Sequence, residues 1–146
     1  MIRSMQVAAV IAVVCWPIAG MAGPTVYVPL GTANQVVAID ADTHQITARY
    51  EGIENPHGLV ATPDGEYLVA GSLAEKPAPA GASHDTPTSR LYLIHPGHGH
   101  VMLTIPVAGW THHEAITPDG RYVISTHSTR GYVSVLDMNT NQIVQR

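Results

Sequence analysis

Imidazole is the commonest neutral side-chain ligand for copper, zinc and haem iron, and it changes charge near neutral pH. This sequence carries nine histidines, so they are the side chains to place first. His57 follows Pro56, and an adjacent pair, His112-His113, stands 55 positions further on. His84 and His127 lie in segments of a different character. A separate run, His95-Pro96-Gly97-His98-Gly99-His100, has the alternation that chelates copper or nickel and equally that of an exposed glycine-rich turn. Glu114, beside His113, reads as a general base, as a hydrogen-bond partner for a ligating histidine, or as a polar residue lining a channel. There is no Gly-x-Ser-x-Gly elbow, phosphate-binding loop, dinucleotide fingerprint or pair of carboxylates spaced for acid–base work. No catalytic residue is assigned, and a non-catalytic chain is expected.

What must position these side chains is a repeat. Leu59-Val60-Ala61, Pro63-Asp64-Gly65 and Tyr67-Leu68-Val69-Ala70 read as strand, tight turn and strand. Proline presets φ, aspartate bonds the backbone ahead, and glycine accepts positive φ. The same pattern returns as Ala115-Ile116-Thr117-Pro118-Asp119-Gly120-Arg121-Tyr122-Val123-Ile124, with His57 matching His112, Thr62 matching Thr117 and Tyr67 matching Tyr122. Val36–Ile39, Leu91–Ile94 and Val133–Leu136 are three copies of a further strand, the last two 42 residues apart. The hairpin spacing is 13 residues longer, and the excess lies in the small, proline-rich stretch 74–89, expected to be an irregular loop. A period near 42 residues suits a four-stranded propeller blade. No segment after Gly23 has helical periodicity.

The expected architecture is therefore all-β: a partial β-propeller of about three antiparallel, four-stranded blades over residues 23–146, with blade breaks near 52–56 and 106–111. Naming the strands of a blade a to d from inside outwards, the first blade has b, c and d only, giving eleven strands. Loops d–a and b–c then share the face at the mouth of the central channel, and His57, His84, His112, His113 and His127 fall on that rim. The candidate cofactor-binding residues are His57, His112, His113 and His127, with His112 and His113 as candidate metal ligands. Their alternative reading is structural, as strand-entry residues of the repeat.

Residues 1–22 read as a signal peptide: Arg3, an apolar run from Val7 to Cys15, then Gly20 and Ala22 before a cleavage at Gly23. That implies a periplasmic or secreted protein, with no membrane span expected after cleavage. Cys15 is the sole cysteine, so the mature chain forms no disulfide. The full chain has a net charge of −4 and no basic run, which makes nucleic acid an unsuitable partner.

Pro56–Gly71, Asn34–Thr43 and Gly131–Thr140 resemble the YVTN-type β-propeller repeat family, which is similar in turn to the haem-d1 domain of periplasmic nitrite reductases. The sequence departs from the family pattern at Ile94-His95-Pro96-Gly97 and at Tyr27-Val28-Pro29-Leu30. The resemblance implies a ring of about seven blades, so these residues are expected to be part of a longer ring or one of several copies completing it. It implies a binding scaffold for a small ligand, a cofactor or a protein partner. The alternatives are a haem-d1-like or copper-binding propeller in electron transfer or cofactor assembly, and a lactonase-type hydrolase. His112-His113 is also similar to the His-His motifs of the copper-binding propeller of nitrous oxide reductase.

Overall fold

The computed structural model describes residues 23–146; the expected signal peptide lies outside the described residues. Eleven strands follow one another: β1 (Thr25–Leu30), β2 (Gln35–Asp40), β3 (Ile46–Glu51), β4 (Pro56–Ala61), β5 (Leu68–Ser72), β6 (Ser89–His95), β7 (His100–Val107), β8 (Thr111–Ile116), β9 (Tyr122–His127), β10 (Tyr132–Asp137) and β11 (Gln142–Gln145). They form three antiparallel sheets, β1-β2-β3, β4-β5-β6-β7 and β8-β9-β10-β11, the blades of a partial propeller. Among the described residues the only helical element is one 3-10 turn at Gly31–Ala33.

The turns close as their residue types dictate. Thr62 Oγ1 donates to Asp64 Oδ1 and accepts the Tyr67 N–H at 3.0 Å, and the Glu66 N–H donates to Asp64 Oδ1. Thr117, Asp119, Arg121 and Tyr122 repeat the set. Gly65 and Gly120 both sit at φ +73°, where a side chain would strain the backbone. These bonds hold the Asp64 and Asp119 carboxyls below the usual carboxylate range. Each blade also shifts register once between its last two strands, at Ala38/Ile39, Leu93/Ile94 and Val135/Leu136. The repeat thus extends to its irregularities.

Alternation along the middle blade decides the packing. Leu68, Ala70, Tyr92 and Ile94 point to one side and bury against Val36, Ala38 and Tyr50 of the first blade. Val69, Leu91, Leu93, Ile105 and Val107 point to the other and bury against Val123 and Leu136 of the third. At about 1.5–3 kcal/mol per fully buried aliphatic or aromatic side chain, these two seams dominate the fold's stability. The flanking blades leave Val26, Ile46 and Val133 close to half exposed on their outward faces.

Polar ties cross the second seam at the mouth end. Thr111 on β8 accepts the Ser72 N–H and donates to the Ser72 carbonyl at 3.2 Å. Arg130 in the β9–β10 loop meets Glu75 at 2.5 Å, and Thr88 and Thr129 also donate to that carboxylate. Glu75 and Thr88 are the two feet of the long β5–β6 connection, which is irregular between them as its composition predicts.

Candidate functional site

The β4 and β8 strands each begin with a bulge. Pro56 pairs with Ser72 and Leu59 with Ala70, so His57 and Gly58 together face the single residue Gly71. Likewise Thr111 pairs with His127 and Glu114 with Ser125, which leaves His112 and His113 opposite Thr126. An extra residue of this kind breaks strict alternation and re-aims side chains. Thr126 pins the second bulge, its Oγ1 accepting the His113 N–H at 3.0 Å.

The outcome is a three-imidazole cluster at the seam of the second and third blades. His112 Nδ1 and His113 Nδ1 are 2.8 Å apart and share a hydrogen bond. The His57 ring centroid lies 4.5 Å from that of His112 and 6.0 Å from that of His113. One nitrogen from each ring falls within 4.8 Å of the others. His57 and His113 are exposed and His112 is partly covered. Partial desolvation, then the neighbouring His113 and His57, push the His112 pKa down and favour its neutral, lone-pair-bearing form.

Glu114 departs from the expectation of a channel-lining residue. Its side chain runs into the seam and covers Gly58 and Gly71 of the middle blade, where a Cβ on either glycine would meet the carboxylate. Both carboxylate oxygens are buried without a hydrogen-bond partner in the protein. Desolvation raises the pKa to about 7. No sequence pattern of the repeat marks this seat: Gly58 and Gly71 show what they make room for only once the two blades pack.

His127 is not brought into the cluster. It is buried, its Nε2 lies 2.7 Å from Ser134 Oγ, and its ring stacks on Tyr132 at 4.5 Å. Burial lowers its pKa, partly offset by the Gly109 and Ala108 backbone. It is the partner of Thr111 and Tyr132 across β9, and these cross-strand neighbours turn its ring into the sheet. His84 is exposed beside Asp85 at 3.7 Å, apart from the three. The other histidine run is a stack: His95 on His98 at 4.0 Å and His98 near His100 at 6.0 Å. His95 Nδ1 there accepts the His98 N–H, which ties that nitrogen to the turn. A groove of about 880 Å³ lies at the opposite end of the second seam among Thr62, Asp64, Met102, Asp119 and Asn139 and is lined by no histidine.

No protein-family model matches this sequence, and no curated protein does. Among solved structures the chain is similar to Kuenenia stuttgartiensis hydrazine synthase, with a TM-score of 0.69 over 83% of this chain at 20% identity. The chain spans 31% of that one's length. The likeness is one of fold and supports a propeller-like arrangement of blades. Among the described residues no helix is long and apolar enough to cross a membrane.

Proposed function

We propose that this chain is an exported binding scaffold of the periplasm or the extracellular space, taking its ligand at the propeller mouth where β4 and β8 begin. The supporting observation is the convergence of His57, His112 and His113 from two blades onto one seam. Propellers hold such a place rigidly because each blade is gripped on its faces by its neighbours, while the mouth loops stay free to vary. A small ligand or cofactor fits this rim better than a nucleic acid, given the acidic balance of the chain. A second reading, a redox propeller with a coloured cofactor, draws on the same three imidazoles.

The test is to recover the protein from an exporting host and compare its native mass and visible spectrum with those of His57→Ala. A retained mass that the variant loses supports the scaffold. A visible absorption band that disappears with it favours the redox reading. Identical native masses at the bare polypeptide value in both proteins overturn the site.

A further inference from the structure

The geometry points to a site for one borderline divalent cation, Zn(II) or Cu(II), held by His57, His112 and His113 so that it staples the second blade to the third. It deepens the scaffold reading by naming the ligand class of that same mouth.

Three imidazole nitrogens are the donor set that such cations favour, and three protein ligands leave a fourth position open for an exogenous group. Tetrahedral ligation at about 2.0–2.1 Å asks for nitrogens roughly 3.3 Å apart. The two Nδ1 atoms of His112 and His113 are already 2.8 Å apart, and all three donors lie within 4.8 Å. The close pair has to open slightly and the wider separations to shorten, and the rings of His57 and His113, both exposed, are free to rotate to do so. One proton now sits between His112 and His113, because a 2.8 Å separation requires a donor and an acceptor. A cation would replace that proton as the shared bridge.

The backbone around the donors is built rather than incidental. The bulge aims two successive histidines at one place, and Thr126 holds it by accepting the His113 N–H. Thr111, immediately before the pair, is bonded to Ser72 of the other blade, which fixes the distance between the strands that carry His57 and His112. The stacked His95, His98 and His100 make a useful contrast. They lie within one blade and one turn, with His95 Nδ1 already engaged, and join no group of three converging donors among the described residues.

Because the donors come from two blades, the cation binds only the assembled seam and must stabilise it. The experiment titrates the full exported chain, stripped with chelator, with Zn(II) alone and separately with Cu(II) alone. Calorimetry should show one equivalent bound, and Tm should rise with Zn(II). His57→Ala and His112→Ala should each weaken binding at least about 100-fold, the upper end of what even an indirect partner costs, and abolish the Tm rise. His98→Ala should leave both unchanged. The Cu(II) paramagnetic resonance spectrum should show coupling to three nitrogens in the wild type and fewer in His57→Ala. Circular dichroism checks that each variant folds; His57 is exposed, so its loss removes a ring contact at the rim and nothing from the buried core. Binding that survives both rim substitutions, binding lost in His98→Ala, or no saturable binding overturns the inference. So does binding that needs His112 but not His57, since the staple would then be absent. If neither cation binds while the native mass still shows a ligand lost in His57→Ala, the cation fails and the scaffold reading stands.

Discussion

Two stretches of this molecule occupy the same place in successive repeats and carry different cargo. Pro56-His57-Gly58-Leu59 opens the inner strand of the middle blade, and Thr111-His112-His113-Glu114 opens that of the next. Both have the bulge, and both have a histidine in second position. At the fourth position the first has Leu59, packed on the apolar seam with the preceding blade, whereas the second has Glu114 in the equivalent seam. At the third position the first has glycine and the second His113. The two differences are linked, because Gly58 and Gly71 of the middle blade leave the space that Glu114 fills. A repeat that elsewhere seals its seam with an aliphatic side chain has placed there an unpaired carboxylate, one strand residue beyond a histidine pair. The fold tolerates the exchange because the rest of that seam, from Val69 to Leu136, is apolar and closely buried.

The largest expected effect comes from returning the seam to a neutral side chain. Glu114 has a folded pKa of about 7 against an ordinary 4.5, so the native state holds a proton that the unfolded chain has lost. Its contribution is fully present below pH 4.5 and is lost as pH rises to about 7. The wild type should therefore lose roughly 3 kcal/mol across that window relative to Glu114→Gln, given about 1.4 kcal/mol per unit. Urea melts of the chelator-treated proteins at intervals from pH 4 to 8 measure the difference, and taking it between the two proteins cancels His127. Parallel curves would show that Glu114 is solvated in the native state.

A second substitution acts on the receptacle. A Cβ at Gly71 would stand 2.8 Å from the Thr111 carbonyl oxygen and would also meet the Glu114 carboxylate. Gly71→Ala should cost about 1–3 kcal/mol, the usual range for overpacking, with part of that cost recovered in a Glu114→Ala background. Additive losses in the double variant would separate the glycine from the glutamate. A smaller effect is expected at the mouth. Arg130→Ala removes a partly buried ion pair across the same seam and should cost about 1 kcal/mol, with little change when Glu75 is already alanine. The smallest effect is expected in the long loop. Removing residues 77–86 while keeping Glu75 and Thr88 should change stability by within about 0.5 kcal/mol, because the anchoring bonds lie at its feet. Loss of folded protein in that deletion would show that the loop tip packs.

The strand order and the repeat were legible in the sequence because short alternating runs and Thr-Pro-Asp-Gly turns are local, and local chemistry repeats with them. The same holds for Asp64 and Asp119 as turn formers, since each bonds its own neighbours. The expectation of one long loop between Ala74 and Ser89 rests on composition in the same way, although its anchoring by Arg130 does not show in composition. The rim histidines were legible only in part. Sequence spacing places His57 beside His112 once blades are stacked, but it treats His127 as their equal, and only the cross-strand stacking on Tyr132 takes that ring out of the group. The two bulges, the shared hydrogen bond of His112 with His113, and the seat of Glu114 over two glycines belong to tertiary structure alone. They depend on how far apart two backbones come to rest when apolar faces close, a distance set by the summed packing of both blades.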